Sequence, residues 1–301
     1  MTNIGIIGAG AIGQLIGFQL QQAGEKISYV VRQAVDQPSR CTFNDLSQVS
    51  HTYQPQFRVN SDPALANIDL LIVCVKAYQV LSSLKPLLPN LNAHCHILLL
   101  HNGLGTHNQL IPLLQPTQGL SIGTTSQSAV RLIQWQVEQT GEGLTQFGHC
   151  AGIKMTEALK TQLLQAIPHS QWTDDIMVAL WSKLAVNCVI NPLTAIYRCH
   201  NGGLAKTDYQ HQCSSIVTEL LQLAKLEGIG LVSNQIEDRV KKVVELTANN
   251  YSSMYQDVVH HRETEIDYIN GYLVKLAQKH NISVPENQKL VEQIKSINAF
   301  D

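Results

Sequence analysis

The amino-acid sequence predicts an α/β protein, with a doubly wound sheet in the first half and an all-α domain in the second. Short, nearly continuous apolar runs such as residues 68–75 alternate with helix-like segments up to about residue 172, as expected for parallel strands covered on both faces. From residue 174 onwards the apolar spacing is helical, without strand-like alternation. We therefore expect two domains, 1–173 and 174–301, in this 301-residue chain.

The composition is typical of a soluble globular protein. Hydrophobic residues make up 44% and charged residues 15%, and the formal net charge of -2 argues against a general nucleic-acid surface. Seven cysteines without a CxxC pair indicate a reducing compartment, so we expect a cytoplasmic protein without disulfides. We expect no metal, since the histidine spacing fits no zinc motif. Nor do we expect a signal peptide or an apolar stretch of the ~18–20 residues that a membrane helix needs.

A glycine-rich turn, GAGAIG at 8–13, lies between a predicted buried strand and a helix that runs to about Ala23. In a G-x-G-x-x-G turn of this context the first glycine makes the tight turn, the second lets backbone approach a pyrophosphate, and the third lets helix and strand pack closely. The helix N-terminus adds N–H donors for the phosphates. A dinucleotide site is therefore predicted, formed by Gly8, Ala9, Gly10, Ala11, Ile12 and Gly13.

The end of the second predicted strand indicates which dinucleotide is bound. NAD and FAD sites normally place Asp or Glu there to hold the ribose hydroxyls, but this strand ends in Val30-Val31-Arg32-Gln33. The guanidinium of Arg32 can bind a 2′-phosphate through charge-assisted hydrogen bonds. The sequence therefore favours NADP, unless Arg32 is an ordinary surface arginine.

Two further strands of the predicted sheet end in polar residues. Lys76 follows the run 68–75, and Asn102 follows the run 96–100. Ligands of open α/β sheets lie beyond the carboxyl ends of the strands, so both residues are candidates, although solvated loop residues are the alternative. The alternating pattern of 126–148 predicts antiparallel strands that finish this sheet.

A polar stripe runs along a helix that is otherwise apolar on every side. Lys183, Asn187 and Asn191 recur at a spacing of four within the stretch Trp181–Thr194. Burying an ammonium is costly, so this lysine either reaches water along its stem or serves a ligand. We favour the second interpretation: a proton-donating lysine beside two amides that hold a polar substrate. Pro192 is expected to bend or interrupt the helix.

A second helix start is predicted near residue 253. Ser253 and Gln256 fit the spacing of a capping box, so capping is the structural alternative to a binding role for Ser253.

Taken together, these motifs resemble those of the ketopantoate reductase family over almost the whole chain. The resemblance rests on GAGAIG at 8–13, VK at 75–76, HNGLGT at 101–106, WSKLAVNCVINPLTA at 181–195, Asn201-Gly202, SSMYQD at 252–257, TEIDYINGY at 264–272 and VPEN at 284–287. It implies a Rossmann domain that carries NADPH, followed by an all-helical domain like that of the 6-phosphogluconate dehydrogenase superfamily. The implied reaction is reduction of the C2 ketone of ketopantoate to pantoate, for pantothenate and coenzyme A synthesis.

The resemblance also implies roles for individual residues. Lys183 is the implied general acid. The implied substrate ligands are Asn102, Lys183, Asn187, Asn191, Asn201 and Ser253. Beside the glycine turn and Arg32, the implied cofactor residues are Lys76, Asn102, Ala129 and Glu265, of which Asn102 and Glu265 could touch either ligand. A small-molecule substrate is the expected partner, and a homodimer is left open.

Two other functions fit part of the sequence. One is a sibling NADP-dependent dehydrogenase of 2- or 3-hydroxy acids, which would use the same lysine and asparagines. The other is a non-catalytic NADP-binding sensor, which would keep the glycine turn and Arg32 but would have no reason to place Lys183 on an apolar helix.

Overall fold

The computed structural model describes residues 2–32 and 40–299. It divides into two compact units. The first comprises Met1–His101 and Thr106–Ile176, and the second comprises Asn102–Gly105 and Met177–Asp301. The short segment Asn102–Gly105 thus belongs with the helical half of the chain, although it follows a strand of the first unit.

The first unit is built of strands and helices that alternate over much of its length. In chain order they are β1 (Asn3–Ile7), α1 (Ala11–Gln22), β2 (Lys26–Val31), β3 (Cys41–Asn44), β4 (Ser50–Tyr53), β5 (Gln56–Val59), β6 (Leu70–Val73), α2 (Val80–Leu84), β7 (His96–Leu99), α3 (Thr106–Leu110), β8 (Gly119–Thr125), β9 (Ser128–Ile133), β10 (Gln136–Gly141), β11 (Thr145–Gly152), α4 (Glu157–Ala166) and β12 (Ser170–Trp172).

An eight-stranded sheet in the order β12-β11-β8-β7-β6-β1-β2-β5 forms the centre of this unit. The strands from β5 across to β8 are parallel, and β11 runs antiparallel to β8. The chain moves outward from β1 through β2 and then restarts on the other side with β6, so the order reverses between β1 and β6. This confirms the predicted Rossmann-type doubly wound sheet and places its switch point beside the glycine turn.

Strands β9 and β10 do not complete this sheet, contrary to the expectation for residues 126–148; of the predicted strands only β11 joins it. They form a separate four-stranded sheet in the order β4-β3-β10-β9, in which β10 runs parallel to β3. Its apolar face covers α1, where the rings of Phe18 and Phe43 stack at 4.1 Å between centroids. Val137 of β10 is fully buried in the same cluster. Strands β9 and β10 therefore lie in the smaller sheet, where they help to cover the apolar side of α1.

The glycine turn explains how β1 and α1 pack at the switch point. Gly8 has φ +98°, and a Cβ there would lie 2.7 Å from the Val75 backbone nitrogen. A Cβ on Gly13 would collide with the Gly8 carbonyl and lie 3.2 Å from the Cys74 Cβ, whereas a Cβ on Gly10 would meet nothing within 4 Å. Gly8 and Gly13 are thus required by the backbone and by packing, and Gly10 faces open space.

The regular elements of the second unit are all helices within its described residues, as predicted. Its helices are α5 (Ile176–Tyr197), α6 (Thr207–Leu226), α7 (Ser233–Leu246), α8 (Ser253–Val259), α9 (Asn270–His280) and α10 (Pro285–Ala299). Turns of 3₁₀ helix at Asn201–Ala205 and Ile266–Tyr268 precede α6 and α9.

Helix α5 is the core of the helical unit. It continues through Pro192 without interruption over 22 residues. Among the described residues it is the one helix long and apolar enough for a membrane span, which the sequence had not led us to expect, but 72% of its most apolar window is buried inside the protein. A buried core helix satisfies the same length and composition test. Because Trp181, Leu184 and Val189 are each exposed by 2% or less, α5 is a buried core helix.

Substitutions in the glycine turn test this packing. We expect Gly13→Ala to lower the free energy of unfolding by at least about 2 kcal/mol, because the added methyl group meets backbone that cannot move aside. Gly10→Ala is the matched control and should stay within about 1 kcal/mol of the wild type, because its Cβ enters open space. Urea denaturation of the two variants measures both values. Equal stability of the two would contradict the assigned packing role of Gly13.

Candidate functional site

The N-terminus of α1 offers unused backbone donors beside the open position at Gly10. Gly10 caps α1 without any side-chain hydrogen bond to the helix. The buried Gln14 donates from Nε2 to the Ala9 carbonyl at 2.9 Å. In a planar trans peptide the C=O and the following N–H point in opposite directions, so the Gly10 N–H faces away from Gln14. The turn therefore presents N–H groups and free space together, as a bound phosphate requires.

Gln14 is a further residue that supports the turn, and the glycine motif does not single it out. It is only 1% exposed, and it holds the Ala9 carbonyl in the orientation that the turn needs. The available signal was a polar residue at a helix position directly after the third glycine, in a helix whose other inward positions are mostly apolar.

Other predicted cofactor residues lie at the carboxyl ends of strands in the first unit. Arg32 directly follows β2 and is exposed, and Lys76 follows β6 and is partly exposed. Because β1, β2 and β6 are parallel neighbours, both residues lie at the same edge of the sheet as the glycine turn. Ala129 lies instead on β9 of the smaller sheet, where it packs partly against the core of the unit.

In the helical unit, α5 carries the predicted polar stripe as one continuous helix. Lys183 and Asn187 are partly exposed, while Asn191 is 6% exposed. Since the helix is unbroken between them, the spacing of four places all three on one face. The three polar residues therefore lie on one face of an apolar core helix, as predicted. The chemistry of this face depends on Lys183.

The environment of Lys183 makes its proton easier to release. The pKa of the Lys183 ammonium falls from 10.5 to about 8 as the net result of three effects: desolvation by the surrounding protein lowers it, the Glu265 carboxylate raises it, and the Arg239 guanidinium lowers it. Burial and the nearby carboxylate oppose each other, and burial prevails. Lys183 therefore releases its proton closer to neutral pH than a fully solvated lysine does.

Asn102 and Glu265 come together in this unit. Asn102 donates from Nδ2 to the Glu265 carboxylate at 3.4 Å, and Glu265 is 3% exposed. The Leu104 N–H donates to the Tyr268 carbonyl at 2.8 Å, and Gly103 has φ +78° with no room for a Cβ against Tyr268. The segment that follows β7 is therefore held against the turn that carries Glu265, which explains its place in the helical unit.

Asn201 is anchored by two hydrogen bonds, and its remaining acceptor is buried and unpaired. Its backbone N–H donates to the Asn250 carbonyl, and its Nδ2 donates to Thr247 Oγ1, each at 2.9 Å. The residue is 7% exposed, and its Oδ1 has no hydrogen-bond partner within the described part of the chain. An unpaired buried acceptor is costly unless a ligand supplies the donor.

Ser252, and not Ser253, caps α8, so the capping-box interpretation of Ser253 is wrong. Ser252 Oγ accepts from the Tyr255 N–H at 3.0 Å and from Thr194 Oγ1 at 2.7 Å. Ser253 is the first residue of α8 and is exposed. Two adjacent serines made the capping position ambiguous in the sequence, and the contact from Thr194 of α5 decides it.

No group of three or more His, Cys, Asp or Glu side chains that could hold a metal ion occurs among the residues that the structure describes. A polar cavity lies at the opposite edge of the main sheet, beside the starts of β1, β2 and β5, and it contains none of the predicted site residues. The candidate residues therefore form two separate groups: the glycine turn with its strand ends in the first unit, and the α5 stripe with its neighbours in the second.

Comparison with known proteins covers both halves of the chain. Residues 4–152 match the family model described as ketopantoate reductase PanE/ApbA, and residues 175–298 match its C-terminal counterpart. The 2-dehydropantoate 2-reductase of Vibrio cholerae is 37% identical over 98% of this chain and 97% of its own length. That of Escherichia coli O157:H7 is 37% identical over 97% of this chain and 94% of its own length.

Solved structures agree with these matches. A PanE/ApbA family ketopantoate reductase from Ralstonia eutropha JMP134 superposes with a TM-score of 0.87 at 25% identity, covering 99% of both chains. A ternary structure of D-mandelate dehydrogenase with NADH and anilino(oxo)acetate gives a TM-score of 0.91 at 26% identity, covering 99% of this chain and 98% of that one. On the evidence of both family models and of relatives matched over nearly their full length, this chain belongs to the ketopantoate reductase family.

Proposed function

We propose that this chain reduces the C2 ketone of ketopantoate to pantoate with NADPH, a step that serves pantothenate and coenzyme A synthesis. The family models and the names of the relatives support the reaction. The observation that carries the mechanism is Lys183, whose burial on an apolar helix lowers its pKa to about 8.

The first unit fits a dinucleotide phosphate. The open side of Gly10 and the N-terminus of α1 suit a pyrophosphate, and the exposed Arg32 stands where a dinucleotide site places its ribose-recognition residue. A guanidinium there matches a 2′-phosphate and has no acceptor for ribose hydroxyls. When bound, the reduced cofactor supplies the hydride. The similar D-mandelate dehydrogenase structure contains NADH, so similarity of fold does not decide between the two nucleotides. The choice of NADP is therefore based on Arg32.

Lys183 provides the charge and the proton. Hydride addition to a ketone builds negative charge on its oxygen, and an ammonium beside that oxygen stabilises the charge and can protonate it. A pKa of about 8 keeps Lys183 mostly protonated at neutral pH while bringing its acidity much closer to the working pH than the ordinary value of 10.5.

Neutral amides and a hydroxyl hold the substrate. Asn187 and Asn191 share the α5 face with Lys183, and both can donate to a carboxylate without adding charge. Asn201 Oδ1 is an unpaired buried acceptor suited to a substrate hydroxyl. Ser253 is free of the capping role, because Ser252 performs it. The Glu265 carboxylate accepts from Asn102 and raises the pKa of Lys183, which keeps the proton in place before reaction.

Turnover of ketopantoate by wild type and Lys183→Ala is the first test. Wild type should oxidise NADPH with ketopantoate, followed at 340 nm, and Lys183→Ala should be slower by about 10²- to 10⁴-fold, the usual contribution of a general acid. Circular dichroism and NADPH fluorescence titration verify that the variant folds and binds the cofactor. Phenylglyoxylate, the 2-keto acid related to mandelate, is the control substrate. A wild type that reduces phenylglyoxylate and not ketopantoate would contradict the proposed substrate.

The pH dependence of kcat/KM tests the proton donor. Because the protonated form of Lys183 is the active one, kcat/KM should fall as the pH rises through about 8. Glu265→Gln removes the charge that raises this pKa, so the fall should move to lower pH. Arg239→Gln is the opposite control: it removes a charge that lowers the pKa and should move the fall to higher pH. Shifts of the same sign in the two variants would exclude Lys183 as the titrating group.

Arg32→Ala tests the choice of cofactor. Loss of a charge-assisted hydrogen bond costs about 1.5–3 kcal/mol, so NADPH affinity should fall by about 10- to 100-fold, while NADH affinity should change little. Fluorescence titration with each nucleotide measures both constants. Arg58→Ala, on β5 beside β2, is the matched control for loss of an arginine at that side of the sheet and should affect neither. Equal weakening of NADPH and NADH by Arg32→Ala would overturn the assignment of the 2′-phosphate to Arg32.

A further inference from the structure

Helix α5 contains a carbonyl group whose ordinary hydrogen-bond donor is missing. In an α-helix the N–H of residue 192 would donate to the Cys188 carbonyl, but Pro192 has no N–H and its ring crowds that carbonyl. Cys188 is fully buried, so water cannot take the place of the donor. An unpaired buried carbonyl at this point would weaken the helix between the two asparagines of the polar stripe.

Asn270, the first residue of α9, supplies the missing donor. Its Nδ2 donates to the Cys188 carbonyl at 3.0 Å and also to Asn287 Oδ1 at 2.9 Å. Asn270 is fully buried, and its Oδ1 has no partner among the described residues. Both N–H groups of the side-chain amide therefore donate hydrogen bonds, while its oxygen accepts none from the described residues. The amide acts at this position as a hydrogen-bond donor.

The orientation of both amides follows from a carboxylate at the end of the chain of contacts. Glu219 accepts from the backbone N–H groups of Glu286 and Asn287, and from Asn287 Nδ2 at 2.6 Å. Because a carboxylate only accepts, the amino group of Asn287 must face Glu219 and its oxygen must face Asn270. The amino group of Asn270 is then directed toward Asn287 and Cys188. Four helices, α6, α10, α9 and α5, are linked by this series of hydrogen bonds.

We propose that Asn270 is a positioning residue for the substrate-binding face of α5. The Cys188 carbonyl follows Asn187 and belongs to the same helical turn as Asn191, so the donor that fixes this carbonyl also fixes the direction of both asparagine side chains. Asn270 further follows the turn Ile266–Tyr268 that begins after Glu265, so the same contact relates the α5 stripe to the carboxylate that raises the pKa of Lys183. This inference rests on the proposed function, in which Asn187 and Asn191 bind ketopantoate.

The inference predicts a specific rescue, because Ala at position 192 restores the backbone N–H that Pro192 lacks. Asn270→Ala should raise the KM for ketopantoate by about tenfold, the cost of one lost buried hydrogen bond, with a smaller change in kcat and none in the Kd for NADPH. In a Pro192→Ala background the helix supplies its own donor to Cys188. There, Asn270→Ala should leave KM within about twofold of the Pro192→Ala value. Steady-state kinetics and NADPH titration of the four proteins provide this double-mutant cycle.

Ile294→Ala is the control for simple loss of stability. Ile294 is a fully buried α10 side chain two turns from Asn287, so this variant should lower the melting temperature without raising KM. An equal rise in KM for Ile294→Ala and Asn270→Ala would reduce Asn270 to a stabilising role. If the single variant Asn270→Ala does not fold, the double variant alone still decides, because a tenfold rise in KM over Pro192→Ala would overturn the proposal.

The melting temperatures of the same four proteins form a second cycle that needs no substrate. A smaller loss from Asn270→Ala in the Pro192→Ala background than in the wild type supports the replacement of the helix hydrogen bond, and equal losses refute it. If the melting temperatures show this coupling but the wild type does not reduce ketopantoate, the proposed function is overturned and the replacement of the helix hydrogen bond still holds. If the wild type reduces ketopantoate but the melting temperatures show no coupling, the replacement is overturned and the proposed function still holds.

Discussion

The desolvation of polar groups on α5 is the constraint on which the helical unit depends. A 22-residue helix at the core of the unit also carries a lysine and two asparagines on one face. Confining them to one face, at a spacing of four, leaves the rest of the helix free to pack, with Trp181 and Leu184 nearly inaccessible to solvent. Burial lowers the pKa of Lys183 to about 8, so the same packing that stabilises the helix gives the lysine its acidity.

Two polar groups that α5 brings into the core have partners on neighbouring helices. Thr194 Oγ1 donates to Ser252 Oγ, which caps α8, and the Cys188 carbonyl accepts from Asn270 of α9. Partnered buried groups are specific in direction, whereas apolar contacts tolerate sliding. These bonds therefore fix the register of α8 and α9 against α5, and with it the positions of Ser253 and Glu265. The polar groups of α5 thus determine where the predicted ligand-binding residues near the starts of these helices lie.

Local patterns in the sequence were sufficient for features that depend on neighbouring residues. The glycine turn and the polar stripe of α5 follow from spacing within one or two turns of chain, and both are found where they were predicted. Pairing between distant segments was not predictable in this way. The parallel pairing of β10 with β3 joins Val137 to Phe43, and no periodicity within residues 126–148 indicates that β9 and β10 leave the main sheet.

The same distinction explains the errors at single residues. The local sequence allows either Ser252 or Ser253 to cap α8. The hydrogen bond from Thr194, 58 residues earlier, favours Ser252. Gln14 and Asn270 are polar residues at helix positions without a local reason, and each proves to hold a backbone carbonyl that its surroundings leave without a donor. A buried amide at an unexplained helix position is therefore an informative signal, because in both cases it donates to a backbone carbonyl close to the predicted ligand-binding residues.

Under the proposed function the two units bind their ligands by different physical means, and this difference bears on how the family can diversify. The first unit relies on absent side chains and unused backbone N–H groups, so Gly8 and Gly13 cannot be replaced without moving the turn itself or the residues Cys74 and Val75 that follow β6. The second relies on side chains of a helix whose packing face is separate from its polar face. Substrate choice can then change at the polar face while the core of α5 stays constant. The D-mandelate dehydrogenase structure, with a TM-score of 0.91 at only 26% identity, is consistent with a scaffold that is retained while its side chains change.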